Sequence, residues 1–516
     1  MVIEEYFKYN ENWKFRRITK SIDYNSFESF FDKVKTRGVI LESAEVAPIY
    51  GRLSLILIDP PVQIIGKKDK FEIIALNKRG EKILELLNEE LFRYATDLKI
   101  NPGSIKGYVE KENENKLFDE SKRFKQRNIS YVIRTFLDFF SAKERFSGLY
   151  GVFSYDFVRL FEDIPDIHED EGIPDFNLFL PDFIVYFDHL KEQADIYLYD
   201  FYDFDTNAEE YFNRRYAEVE HIATKRQRNK GEIRESIRRN RNRNLITKRD
   251  YEEMVIKAKE EMRKGEIFEI VLSHSRYFKC DRAPLEIYQK FRTINPSPYL
   301  FYVNFGEDCL VGASPEMFLR VEDGRVQTRP ISGTIERGEN AIDDYNKMME
   351  LLNSKKEKSE LDMLIDLARN DIARVCKPGI EVKDYRFVEK YSGVMHTVAH
   401  VEGMLDTKNF ELFDAFIVSL NAGTLTGAPK VAAMNLIENF EKSRRGYYGG
   451  NVGYITFSGN LDFGIIIRTA YIRNNIAEIR VGATLLYDSE PEKEYIETMN
   501  KGSVFFKIIE DIGIGA

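Results

Sequence analysis

Two pairs of glutamates in the second half of the chain stand three residues apart: Glu357 with Glu360, and Glu494 with Glu497. Residues at that spacing share one face of a helix, so each pair aims two carboxylates in one direction. If the two faces meet, the four carboxylates need a cation, and an oxygen-only set suits Mg²⁺ rather than zinc. The same spacing describes an ordinary solvated helix face in a chain that is 31% charged, so spacing alone leaves both readings open. His396, after Val394-Met395, is either a satisfied core histidine or a catalyst. The run Asn421-Ala-Gly-Thr-Leu-Thr-Gly-Ala-Pro-Lys430 is either a backbone N–H cradle for an anion or a tight strand-to-helix turn. No Walker-type Gly-Lys-Ser/Thr loop and no dinucleotide fingerprint occurs, so nucleotide binding is not supported.

The elements that must position these groups are regular after about residue 247. Thr247-Lys-Arg-Asp250 fits an N-cap box. Tyr251, Met254, Val255, Ala258 and Met262 then form the stripe of an amphipathic helix that ends at Gly265. Ile267 to Ser273 reads as a strand. Cys309–Gly312, Met317–Val321 and Val326–Thr328 read as strands, the last two joined by an Asp323-Gly324 turn. Helices are expected at 341–353 and 356–370. Another opens at Pro429, with Val431, Met434, Ile437 and Phe440 inward. A meander follows: 452–457, 462–472 as one strand, a turn at Asn474-Asn475, and 477–486. A last helix starts near Pro491. The first ~220 residues mix short β-like runs with helical stretches such as 80–94, which implies a layered domain.

The chain has 516 residues and a net charge of 76 − 86 = −10. With 31 Gly and 15 Pro it is neither collagen-like nor low-complexity. Three cysteines suit a reducing compartment rather than a disulfide scaffold. The N-terminus is charged and lacks an apolar core, and no window approaches a membrane span. The expectation is a soluble cytoplasmic protein. Its acidic balance argues against a nucleic-acid binder. The basic segment 225–246 lacks the interleaved aromatics of a base-stacking surface and reads as a linker between residues 1–224 and 247–516.

In one order the chain carries Ser314-Pro-Glu316, Arg329-Pro-Ile-Ser-Gly-Thr334, Glu360 with Asp366-Leu-Ala-Arg-Asn-Asp371, Tyr391-Ser-Gly-Val-Met-His396, the 421–430 run, Gly459-Asn-Leu-Asp-Phe-Gly-Ile-Ile-Ile-Arg468 and Pro491-Glu-Lys-Glu-Tyr-Ile-Glu-Thr-Met-Asn-Lys501. Over about 247–512 this order resembles the chorismate-utilising enzymes. The resemblance implies an α+β fold: two packed antiparallel-rich β-sheets flanked by helices, with Mg²⁺ and chorismate between them. It implies that Glu360 and Glu497 ligate Mg²⁺ directly, with Glu357 and Glu494 adjacent or acting through water. Lys501 supports the ring carboxylate, and Tyr448 and Arg468 hold the enolpyruvyl carboxylate. Thr424, Gly427, Gly482 and the Ser332-Gly333-Thr334 segment line the substrate site. Glu316 is the general acid for the C4 hydroxyl, and His396 is a catalytic neighbour.

Two positions separate the branches of that family. Members that add water at C2 carry a lysine base where Glu269 stands, and members that make 4-amino-4-deoxychorismate carry a lysine nucleophile where Ser332 stands. With neither lysine, the implied reaction is attack by ammonia at C2 followed by loss of pyruvate. That forms anthranilate, the first committed step of tryptophan biosynthesis. Synthesis that stops at 2-amino-2-deoxyisochorismate is the nearest alternative, and an aminodeoxychorismate synthase component is a further one. Leu41-Glu42-Ser43 and Asn295-Pro296-Ser297-Pro298-Tyr299 resemble the two walls of a site for L-tryptophan as feedback inhibitor. Glu269, Gly148–Tyr155 and Ala483–Tyr487 look most like the long form often fused to a glutamine amidotransferase. No amidotransferase Cys/His set occurs in these residues, so the expected assembly is an oligomer with an amidotransferase subunit or domain that supplies ammonia.

Overall fold

The computed structural model describes residues 2–9, 13–43, 53–112, 123–222, 246–391 and 393–513. All of the basic segment 225–246 except Ile246 lies outside the described residues. Two large sheets form the body, and every pairing between described strands is antiparallel. Strands from both ends of the sequence interleave. In the first sheet Gly38–Glu42 pairs with Tyr299–Asn304; in the second Gly148–Phe153 pairs with Asn451–Thr456. The parts on either side of 225–246 therefore share both sheets, with strands of residues 1–224 contributing to the β-sandwich.

The alternation of side chains fixes which face turns inward. In Gly38–Glu42, Val39 joins the core between the sheets, while Ile40 belongs to the apolar layer on the outer face. That outer layer is covered by the Pro284–Ile294 helix and the C-terminal helix, Pro491–Gly513, through Phe291, Phe505 and Ile508. The Lys248–Lys264 helix starts with the expected Thr247–Asp250 capping box and stops at Gly265 in the left-handed region. With the Lys430–Phe440 helix it covers Ile270, Leu272 and Leu485. In the Lys430–Phe440 helix Ala433, Met434 and Ile437 point inward, but Val431 is 41% exposed, contrary to the expected stripe.

The run expected as one strand over 462–472 is two strands in different sheets. Leu461–Ile465 lies in the second sheet and Thr469–Arg473 in the first. Between them Arg468 adopts φ +49. A second crossing lies beside it: Asp308–Ser314 is in the first sheet and Met317–Glu322 in the second, with Pro315-Glu316 between. The two crossings are tied together by Ile465 N–H to Glu316 O and Ala313 N–H to Arg468 O, both 3.1 Å.

Candidate active site

The Lys355–Ala373 helix is capped by Ser354, whose hydroxyl accepts from the Glu357 N–H at 3.3 Å. Its buried face runs Leu361, Leu364, Ile365, Ile372. Glu357 and Glu360 continue that face toward the N-terminus, so the helix that packs on the second sheet also turns both carboxylates inward. On the C-terminal helix, Glu494 is buried, Glu497 sits at the rim, and Lys501 lies one turn further on. Lys501 Nζ is 2.7 Å from Glu497 Oε1 and donates to the Gly482 carbonyl at 3.3 Å.

These helices, the two crossings and the strand ends enclose a cavity of about 730 Å³. Its lining brings together Glu269, Glu316, Ser332, Gly333, Thr334, Glu357, Glu360, His396, Thr424, Tyr448, Arg468, Gly482, Glu497 and Lys501. Residues separated by up to about half the chain thus meet in one space. Two expected residues do not line it. Glu494 stands behind the wall, with Oε2 buried and unpartnered. Gly427 pairs with Ile270 in the adjoining strand, at φ +130, and a side chain there would run into the Glu269 carbonyl. Its role is to let two backbones approach, which only glycine permits at that φ. Lys356, Arg480 and Asn500 line the cavity without having been singled out from the sequence. Lys356 adjoins Glu357 and Asn500 adjoins Lys501, whereas Arg480 has no such neighbour among the expected residues.

The charge states follow from burial. Glu316 is 7% exposed, and desolvation pushes its carboxyl up to about 8 against the opposing effects of the Thr424 hydroxyl and Lys501. It therefore carries a proton at neutral pH, as a general acid must. Burial pulls His396 down to about 4, so its ring is neutral. Its Nδ1 lies 3.0 Å from both the Gly333 carbonyl and the Thr334 hydroxyl. The carbonyl can only accept, which places the ring proton on Nδ1 and leaves Nε2 as an acceptor. Desolvation and the neighbouring Glu357 raise Glu360 to about 7, and burial raises Glu494. Burial also raises the Tyr448 hydroxyl, to about 12, and shifts Arg468 downward from a very high value, leaving it a cation.

The floor is held by a buried ion cluster. Arg445 and Arg480 both bind Glu441, at 2.7 and 2.6 Å. Arg445 also donates to the Leu425 and Val271 carbonyls, and Arg480 donates to the Ser273 hydroxyl. Burial alone would raise Glu441; the two guanidiniums outweigh it and hold the carboxyl below its usual range.

Among the described residues no three acidic, His or Cys side chains stand close enough to hold an ion as placed. The donor chemistry nonetheless fits a hard cation. Glu357 Oε2 and Glu494 Oε2 are buried without a hydrogen-bond partner, and burial together with the neighbouring Glu357 disfavours the charged form of Glu360 unless positive charge is supplied.

A family model described as chorismate binding enzyme matches residues 95–507. The chain belongs to this family. Anthranilate synthase component 1 of Aquifex aeolicus is 34% identical over 98% of this chain and 97% of its own. That of Acetivibrio thermocellus is 39% identical over 71% of this chain and 76% of its own. The crystal structure of anthranilate synthase component I from Streptococcus pneumoniae superposes with a TM-score of 0.64 at 28% identity, covering 89% of this chain and 92% of that one.

This chorismate-binding enzyme has a second cavity between its sheets, of about 250 Å³. Leu41, Glu42, Ser43, Pro298 and Tyr299 line it; Asn295, Pro296 and Ser297 do not. Ser43 Oγ donates to the Pro298 carbonyl at 3.0 Å, which joins the two expected walls. Glu42 is not free to accept from a ligand ammonium. Its carboxylate is taken by Arg292 and the Tyr288 hydroxyl, each at 2.7 Å. The remaining wall comes from the second sheet, where Asp462 pairs with Arg320 at 2.7 Å and accepts from the Tyr299 hydroxyl at 2.8 Å. Arg320, Tyr454 and Asp462 come from strands, and Arg145 from the bend before Gly148–Phe153, all remote in sequence from the two motif walls.

Proposed function

We propose that this chorismate-binding enzyme is the chorismate-aminating component of an anthranilate synthase. The observation that carries the reading is the identity of two wall residues: Glu269 and Ser332 line the cavity where the other branches need a lysine. The cations among the described lining residues, Lys356, Arg468, Arg480 and Lys501, stand elsewhere. Ammonia is a nucleophile without a base, so this wall suits amination.

Arg468 holds the enolpyruvyl carboxylate through two parallel hydrogen bonds, and Tyr448 adds a third. Lys501 supports the ring carboxylate. Glu316 delivers its proton to the C4 oxygen, which departs as water when nitrogen bonds to C2 and the ring double bonds shift. Neutral His396 offers Nε2 to the C2 proton, whose loss accompanies departure of the side chain as pyruvate and makes the ring aromatic. Mg²⁺, held by Glu360 and Glu497 with Glu357 and Glu494 nearby, supplies positive charge against the substrate carboxylates when bound. Ammonia is supplied by a glutamine amidotransferase subunit or domain. The smaller cavity takes L-tryptophan as inhibitor.

Incubation with chorismate, ammonium and Mg²⁺ tests the reaction. The expected product is fluorescent anthranilate, formation of which stops with a chelator and slows with tryptophan. Accumulation of a non-fluorescent aminated chorismate, or of isochorismate, would overturn the reading.

A further inference from the structure

The Glu269–Lys279 strand divides two layers, because its side chains alternate between faces. Glu269, Val271 and Ser273 turn toward the large cavity or its floor. His274, Arg276 and Phe278 turn outward and meet the C-terminal helix. His274 Nε2 lies 2.9 Å from Thr498 Oγ1. Arg276 donates to the Tyr495 hydroxyl at 2.7 Å, and Phe278 packs on Phe506 with ring centroids 5.2 Å apart. The His274 ring is stacked on Tyr495 at 5.8 Å and edge-on to Tyr251 at 5.2 Å. The Thr498 hydroxyl gives its hydrogen to the Tyr495 carbonyl, 2.7 Å away, so His274 is the donor and Nε2 carries the ring proton. Burial, with Arg276 nearby, pulls the ring down to about 3 and keeps it neutral. Its Nδ1 is buried without a hydrogen-bond partner. Packing between two tyrosines would be served better by an apolar ring, which leaves no orphaned nitrogen. The single hydrogen bond to Thr498 is what a histidine adds.

Thr498 follows Glu497 directly, four residues after Glu494 and three before Lys501. A slip of one residue along this helix would move each of these heads by about 1.5 Å and about 100°. Further along, the helix is held by Phe505, Ile508 and Ile509. Apolar burial of that kind resists separation but has no direction, so it does not fix rotation or sliding. The strand is a firm reference for both. It pairs with Ile476–Leu485 along its length, and Gly482 of that partner accepts from Lys501. We propose that His274 is a positioning residue: its Nε2–H, through Thr498, holds the C-terminal helix at the register where Glu497 and Lys501 enter the cavity. It acts on Mg²⁺ and on chorismate without touching either. The proposal rests on the reading of this cavity given above.

Calorimetric titration with Mg²⁺ and with chorismate, beside steady-state kinetics, tests it on His274→Gln, His274→Asn and Thr498→Val. The Gln amide nitrogen stands where Nε2 does and donates to Thr498; the Asn nitrogen stops short. Thr498→Val keeps the branched shape and removes the acceptor. The Asn and Val variants should bind Mg²⁺ more weakly and show a chorismate KM raised, each by about tenfold. Their kcat should stay within about threefold of wild type, because the lost contribution is to binding in ground and transition states alike. The Gln variant should recover both affinities. Equal losses in Gln and Asn overturn the proposal, since packing of the ring would then do the positioning. So do wild-type affinities in Thr498→Val, or a fall in kcat with both affinities kept. If the Val variant does not fold, the Gln and Asn pair decides alone. Wild-type protein that binds neither Mg²⁺ nor chorismate would refute the reading of the cavity itself, and this proposal falls with it.

Discussion

Glu316 concentrates the chemistry in one proton. Its carboxyl keeps that proton up to about pH 8 because it is buried. The protonated fraction is complete below that value and is lost as pH rises through it, so kcat/KM should fall on the alkaline side near pH 8. Glu316→Gln should lower kcat by about 10²- to 10⁴-fold and remove that limb from the residual rate; an unchanged limb would assign it to another group. At this scale the sequence motifs pointed to most of the cavity wall, because each functional residue sits in a short run with its own order. Glu42 shows the limit. Its motif is local, but its partners Arg292 and Tyr288 lie on a helix far along the chain, so its neutralisation was invisible.

Short elements set the spacing between these groups. Gly333, in the Ile331–Glu336 strand, has φ +69, and a Cβ there would stand 2.6 Å from Glu357 Oε2. The glycine lets the strand meet the acidic helix. Gly333→Ala should therefore displace Glu357, lower Mg²⁺ affinity in calorimetric titration, and cost about 1–2 kcal/mol of stability in denaturant melts. Equal affinity and stability would show that the helix yields freely. The helix at 80–94 reads as continuous from its apolar stripe but stops at Leu84, and a separate 3₁₀ turn covers Glu89–Phe92. Asn88 caps the start of that turn by accepting from the Leu91 N–H, a local arrangement that periodicity does not register. The expected strand over 462–472 fails for a related reason. Leu461 to Ile472 is apolar enough to look uninterrupted, and nothing in Ile-Ile-Ile-Arg announces that Arg468 takes φ +49. That conformation costs about 1–3 kcal/mol and is the kind of strain found at working sites. It turns Arg468 into the space between the sheets.

The two cavities share a frame at the scale of the whole molecule. The crossings that carry Glu316 and Arg468 continue into strands bearing Arg320 and Asp462, which line the smaller cavity. A ligand that spreads Arg320 and Asp462 pulls on the acid and the carboxylate-binding arginine together, which gives the proposed tryptophan inhibition a physical route. Ser43→Phe fills that cavity from the opposite wall. Inhibition by tryptophan should be relieved with activity within about twofold of wild type, since the substitution is a local surface of the cavity remote from the reacting atoms. Inhibition equal to wild type would remove tryptophan from this cavity. The two-sheet architecture was legible from the motif order, but the interleaving was not, because hydrophobic alternation gives a strand's inward face and not its neighbour. That interleaving reaches into synthesis. Gly151 pairs with Gly453, so the edge of the Gly148–Phe153 strand awaits a partner made some 300 residues later. At about 5–20 residues per second, a ribosome leaves that apolar edge open for on the order of 15–60 s. The nascent chain is thus exposed to edge-to-edge association until its last third emerges.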